Sequence, residues 1–237
     1  MKKLLLVLLA ALPAVLFAQD KVINDANAEA RNVPSFHAIR VATGIQLIIK
    51  QGDAEAVAVS ASDAELRARI KTEVVDGVLK IYFENKLWGQ GAFKYKNLRA
   101  YVSFKNIDKF NGASGSITTV DGSFTTGRME IKLSSGARFT GEVKGAGLYV
   151  SQSSGAKTYL SGQVQSLSVD ASSGGAFYGY NIAAGSCDAD ASSGGKIEIT
   201  VVKELMADAS SGGKIEYRGE GVITRLSTGS GGTVRKG

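Results

Sequence analysis

The chain has 237 residues, among them 28 basic and 22 acidic side chains, 29 glycines, two prolines, one histidine and one cysteine. A single cysteine excludes an intrachain disulfide framework, and a single histidine leaves almost no material for histidine-based zinc sites or catalytic triads. The basic residues are interspersed with acids, as in Arg67 and Arg69 beside Glu65 and Glu73, which makes a mildly basic surface and no nucleic-acid footprint.

Residues 1–18 read as a secretory signal peptide: Lys2 and Lys3 form a charged start, Leu4 to Phe17 an apolar run, and Ala18 a small residue before Gln19 and Asp20. The apolar run is too short to span a bilayer comfortably, and cleavage after Ala18 predicts an exported chain with no stable membrane insertion. Cys187 lies far from that cleavage point, so a lipid-modified N-terminal cysteine is excluded. Loss of Lys2 and Lys3 leaves 26 basic against 22 acidic side chains. Residues 19–33 are expected to be a linker.

Residues 34–112 read as an irregular β-rich part. Strands are expected over 36–41, 45–50, 56–61, 70–75, 78–84 and 98–104, one helical turn over 63–67, and a hairpin turn at Asp76-Gly77. The stretch 86–97, with Trp88, Phe93 and Tyr95, reads as an excursion that either carries recognition or covers the end of a strand stack.

From residue 113 to 235 the sequence repeats itself. Ser134-Ser135-Gly136, Ser153-Ser154-Gly155, Ser172-Ser173-Gly174, Ser192-Ser193-Gly194 and Ser210-Ser211-Gly212 are flanked by Ala113-Ser114-Gly115 and Gly229-Ser230-Gly231. The glycines are 21, 19, 19, 20, 18 and 19 residues apart, a period that marks a stacked architecture. Before each glycine, positions such as Leu167, Val169 and Ala171 alternate with Ser168 and Asp170, the period-two mark of a half-buried strand. A second strand follows the glycine, with Phe139, Thr158, Phe177, Ile197, Ile215 and Val234 in one column. The expected fold is all-β: a parallel β-helix, or β-solenoid, of about nineteen-residue coils preceded by the less regular β region. A serine precedes the glycine in all seven copies. With coils about 4.8 Å apart, these serines are expected to form an internal hydroxyl ladder.

The segments Phe36-His37-Ala38-Ile39-Arg40-Val41, Gly44-Ile45-Gln46, Gly77-Val78-Leu79-Lys80-Ile81-Tyr82 and Leu98–Phe104, leading into Gly112-Ala113-Ser114-Gly115, together with the Ser-Gly repeats, resemble the putative auto-transporter adhesin family named for its head GIN domain. The resemblance covers residues 34 to 235, with Gly44-Ile45-Gln46 where the name implies Gly-Ile-Asn. It implies an exported, β-helical bacterial protein acting in adhesion, and is compatible with a homo-oligomer.

No catalytic or cofactor-binding residue is assigned, and no cofactor is expected. The serines offer no Gly-x-Ser-x-Gly elbow, and the glycine-rich corners lack the lysine of a phosphate-binding loop. Cys187 falls in the column of Met129, Leu148, Leu167 and Leu205, which makes it a small core hydrophobe. One constellation has chemistry to offer. Asp170, Asp190 and Asp208, with Asp188 adjacent, would stack into an acidic column. In water, neighbours at that spacing repel by only about 1 kcal/mol, so the column reads as a solvated surface stripe, and the sharper alternative is a weak cation site. The functional expectation is a non-enzymatic binding or scaffold protein of the periplasm, outer cell surface or extracellular space, with a glycan or protein partner. The alternative from another class is a carbohydrate-active β-helix enzyme, a polysaccharide lyase or glycosidase.

Overall fold

The computed structural model describes residues 25–84 and 97–237. The expected signal peptide lies outside the described residues, as does the 86–97 excursion apart from Asn97.

Five long strands form the body: β9 (Ile117–Leu133), β10 (Arg138–Gln152), β11 (Lys157–Ala171), β12 (Ala176–Ala191) and β13 (Lys196–Ala209), numbered after eight shorter N-terminal strands described below. Each pairs in parallel with the next, one coil along, which is the expected β-solenoid. The two strands expected per coil are one continuous ladder. In β11, Thr158, Leu160 and Val164 are buried, then the inward phase shifts by one residue to Leu167, Val169 and Ala171. The ladder runs on through that point, with Val164 paired to Gly145 and Leu167 to Leu148. Coils of 21, 20 and 18 residues are absorbed by register shifts, between Thr140 and Glu142, between Tyr159 and Ser161, and between Gly179 and Ala183. None of these falls at the Ser-Gly corner.

That corner is a type I′ turn. The seven serines have φ of 44–52° and the glycines after them 70–77°, the double left-handed conformation that this turn requires. Each turn is closed by a backbone bond such as Ala137 N–H to the Ser134 carbonyl, 2.8–3.1 Å across the seven. Successive corners are joined by the glycine N–H donating to the serine carbonyl of the next coil, as from Gly155 to Ser173 at 3.2 Å. The serine side chains point to solvent, so the expected internal hydroxyl ladder is instead a ladder of main-chain amides. The register of the stack is set by backbone geometry, and the hydroxyl has no structural partner in it.

The same ladder explains Gly44-Ile45-Gln46. Thr43 and Gly44 have φ of 62° and 68°, and Gly44 N–H donates to the Ser114 carbonyl at 2.9 Å. The motif is therefore an eighth corner, placed directly against the first repeat corner. It joins β2 (Ala38–Val41) to β3 (Gln46–Gln51). Their coil is sandwiched, since β2 pairs with both β6 (Val78–Phe83) and β8 (Lys109–Gly112), and β3 with both β7 (Arg99–Phe104) and β9. Antiparallel strands then end the stack: β4 (Ala56–Ser60) on β7, β1 (Glu29–Arg31) on β4, and β5 (Ile70–Val75) on β6 through the Asp76-Gly77 turn. The expected helical turn is α1 (Ala64–Arg69), begun by the Asp63 carboxylate accepting from Leu66 N–H at 2.8 Å. β1 falls within the segment expected to be a linker. At the far end β14 (Lys214–Arg218) and β15 (Val222–Thr228) both pair with β13, and β16 (Thr233–Lys236) lies on β14. Among the described residues no strand lies beyond β15 and β16, and Val222 and Leu226 remain exposed.

The core changes character along the axis. Phe104, Phe110, Phe124 and Phe139 fill the N-terminal part, whereas Ala171, Ala189, Ala191, Ala207 and Ala209 occupy the later inward columns. Thr118 and Thr158 interrupt the apolar column of Phe139 and Phe177, and the coil of Thr158 carries a second polar residue, Gln152. Gln152 and Thr158 are fully buried where neighbouring coils carry Leu133 with Phe139 and Ala171 with Phe177. They satisfy each other: the Thr158 hydroxyl donates to Gln152 Oε1 at 2.7 Å, and Gln152 Nε2 donates to the Asp170 carbonyl at 3.1 Å.

Candidate binding face

On each coil the residues flanking the Ser-Gly corner point alternately inward and outward, so the outward ones form columns along the axis. The two sides of the corner carry opposite charge.

On the side before the corner, Asp170 is registered with Asp190 and Asp190 with Asp208, as the repeat implied. Asp190, in the middle, has its carboxyl raised above the ordinary range, first by partial burial and then by the charges of Asp170, Asp208 and Asp188. Arg225 offsets part of that field through Asp188, 3.7 Å away. Among the described residues no group of three or more histidine, cysteine or acidic side chains is arranged to hold a metal ion, and one face of a strand stack offers only carboxylates pointing the same way. Cys187 is buried, and burial pushes its thiol up to about 12.

His37 Nδ1 lies 3.0 Å from Asp108 Oδ1 on the surface, a contact that ties the chain before β2 to the chain before β8. No serine or cysteine is hydrogen-bonded to His37 among the described residues, so the pair lacks the nucleophile that would make it a triad.

The side after the corner holds a feature that the sequence reading missed. Two residues beyond five of the corner glycines, from Gly136 to Gly212, lies the column Arg138, Lys157, Ala176, Lys196 and Lys214; two residues further lies Thr140, Tyr159, Tyr178, Glu198 and Glu216. Tyr159 and Tyr178 stack with ring centroids 4.7 Å apart and 13° between planes. Their outer faces are covered by cations, Arg138 at 5.4 Å from the Tyr159 centroid and Lys196 at 5.5 Å from that of Tyr178. Tyr180 stands beside them with Arg218 3.9 Å above its ring, and its hydroxyl donates to Glu216 Oε2 at 2.8 Å. Burial, then the nearby Glu198, keeps the Tyr180 phenol protonated above its ordinary range. These tyrosines line an open groove of about 460 Å³, with Thr140, Glu142, Ser161, Asn181 and Glu198 supplying hydrogen-bonding groups. The signal lies in the repeat itself, at outward positions after the glycine such as Lys157 and Tyr159.

Among the described residues no helix is long and apolar enough to cross a membrane. The fold is shared with solved structures. A putative adhesin from Bacteroides fragilis superposes with a TM-score of 0.80 at 17% identity, over 88% of this chain and 95% of that one. A putative adhesin from Parabacteroides distasonis gives 0.69 at 18% identity, over 89% and 96%. A putative lipid binding protein from the same organism gives 0.65 at 20% identity, over 90% and 98%. No curated protein matches the chain. The family model described as putative auto-transporter adhesin, head GIN domain, matches residues 35–221, and with most of its length inside that match the chain belongs to this family.

Proposed function

We propose that the protein is an exported, non-enzymatic, adhesin-like binding and scaffold protein of the cell surface or periplasm, and that it holds its ligand on the tyrosine and cation side of the solenoid. The observation that carries this reading is the groove beside Tyr159, Tyr178 and Tyr180. Its aromatic rings are fixed by stacking and by cations, and fixed rings with adjacent hydrogen-bonding groups bind with little loss of side-chain freedom. Family membership supports adhesion, and the charged and apolar opening of residues 1–18 supports export. A rigid stack of coils also suits a scaffold, because each coil contacts only its neighbours and the face they present is long and continuous.

The test is a glycan-array and surface pull-down screen with the exported protein and its Tyr178→Ala variant. A glycan or surface protein bound by the parent and lost by the variant, with the melting temperature of the variant within a few degrees, is the expected result. Full retention of every captured ligand by Tyr178→Ala would move the site off this face. Mass spectrometry of the exported chain is expected to show residues 1–18 removed.

A further inference from the structure

Building on the assignment of the ligand to this face, we propose that the ligand is an acidic linear polysaccharide, carrying carboxylates or sulfates, laid along the solenoid axis on the column of Arg138, Lys157, Lys196 and Lys214.

Four of the five coils from β10 to β14 present a cation at the same register, with Ala176 as the single gap. Only Lys196 is neutralised, by Glu198 at 2.5 Å. Arg138 rests on the Tyr159 ring, and no ion pair engages Arg138, Lys157 or Lys214 among the described residues. The carboxylates of the same side are already engaged: Glu142 with Lys144 at 3.8 Å, Glu198 with Lys196, and Glu216 with Arg235 and the Tyr180 hydroxyl. Three uncompensated cations, Arg138, Lys157 and Lys214, therefore stand along the side of the groove. On the far side of the corner the Asp170, Asp190 and Asp208 column repels a polyanion and confines it to this track.

The spacing selects the ligand class. Neighbouring strands lie about 4.8 Å apart, close to the advance of one 1,4-linked pyranose ring, so a polysaccharide with one acidic group per sugar meets a cation on every coil of the column but that of Ala176. Its hydroxyls would face Ser161, Asn181, Glu142 and the tyrosine edges of the groove. Single-stranded nucleic acid, the other common linear polyanion, is held largely by bases stacking on open aromatic faces. Here the faces of Tyr159 and Tyr178 cover each other or lie beneath Arg138 and Lys196, so neither ring of the stacked pair offers a base an open face.

The experiment measures binding of the full chain to polygalacturonate, to neutral dextran and to single-stranded oligothymidylate. It includes the Lys157→Ala/Lys214→Ala double variant, and a Lys203→Ala control from the separate groove lined by Gln163, Gln165 and Glu204. Polygalacturonate is expected to bind and dextran not to. The double variant should lose at least tenfold in affinity at an unchanged melting temperature, with the control affected much less. Three freed contacts imply that affinity falls roughly tenfold or more between about 50 and 200 mM salt, by release of counterions. Oligothymidylate binding more tightly than polygalacturonate, or polygalacturonate binding that the double variant leaves intact, overturns the proposal. If the screen instead yields a neutral glycan or a protein lost with Tyr178→Ala but not with the lysine variant, the acidic ligand is wrong and the binding face stands. If neither variant changes the binding of any ligand, both readings fall. Self-association of the parent in sedimentation, weakened equally by the lysine variant and by Asp170→Asn/Asp190→Asn/Asp208→Asn, would assign the column to a second copy of the chain and also overturn the proposal.

Discussion

Substitution of Ser154 separates a corner held by backbone from one held by hydroxyls. Ser154 has φ of 52°, its carbonyl accepts from Gly136 at 3.0 Å, and the turn closes through Ala156 N–H to the Ser153 carbonyl at 3.1 Å. An L-residue in the left-handed region costs about 1–2 kcal/mol, a cost the serine already carries. Glycine removes it but adds about 0.4–1 kcal/mol of chain entropy to the unfolded state, so Ser154→Gly is expected to leave stability unchanged or raise it by up to about 1 kcal/mol. Valine is worse than serine there because its branched Cβ crowds the left-handed backbone, and Ser154→Val should cost a further 1–2 kcal/mol or so. For a domain of this length, about 2–4 °C per kcal/mol makes that a fall of a few degrees, read by thermal melts followed by far-UV circular dichroism. A hydroxyl ladder predicts the opposite for glycine, a loss of about 0.5–1.5 kcal/mol with the bond. If Ser154→Gly melts as low as Ser154→Val, the backbone argument is wrong.

Thr118 is fully buried and its hydroxyl has no hydrogen-bond partner, so Thr118→Val should raise stability by about 1 kcal/mol, whereas Gln152→Leu should lower it by about 1–3 kcal/mol by stranding the Thr158 hydroxyl; calorimetry of both variants checks the contrast. Because the folded state holds the Cys187 proton to about pH 12 against an ordinary 9.0, the contribution of this group is intact below pH 9 and is lost as the pH rises from there towards 12. Denaturation curves of the parent should therefore fall away from those of Cys187→Ala over that window, and parallel curves would place the thiol outside the core. The raised carboxyl of Asp190 means that the folded protein holds this proton more tightly than the unfolded chain does, so its contribution worsens as the pH rises through the carboxylate range. Asp170→Asn/Asp190→Asn/Asp208→Asn should accordingly melt at or slightly above the parent temperature at neutral pH, and millimolar calcium should leave the parent unmoved; a calcium-dependent rise abolished by the triple change would make the column a cation site.

The solenoid was legible because its period is written in residues with few alternatives. Glycine tolerates a left-handed φ far more readily than other residues, and alternation from Leu167 to Ala171 fixes which side is buried. The sandwiched position of β2 and β3 was not legible, because pairing of β3 with both β7 and β9 joins segments far apart in sequence and leaves no local mark. The hydroxyl ladder was misread for a related reason. Recurrence of serine shows that the position is constrained, but not whether its side chain or its backbone meets the constraint. The tyrosine and cation face was hidden by attention to inward columns, although Lys157 and Tyr159 follow the same period as Thr158 and Leu160.

The two ends of the stack differ, and the difference gives the chain a direction of assembly. The antiparallel strands β1, β4 and β5 close the N-terminal end, and residues up to Phe104 suffice to build that closure, so the part synthesised first can complete a seed before any repeat coil exists. Its open side offers β2 to β8 and β3 to β9, and thereafter each new coil needs only the one before it as a template, adding about nineteen residues by contacts that are local in the growing stack. A chain emerging from its N-terminus can thus lengthen like a zipper closed from one end, with the slow step confined to the seed and the unfinished edge always at the most recently made coil.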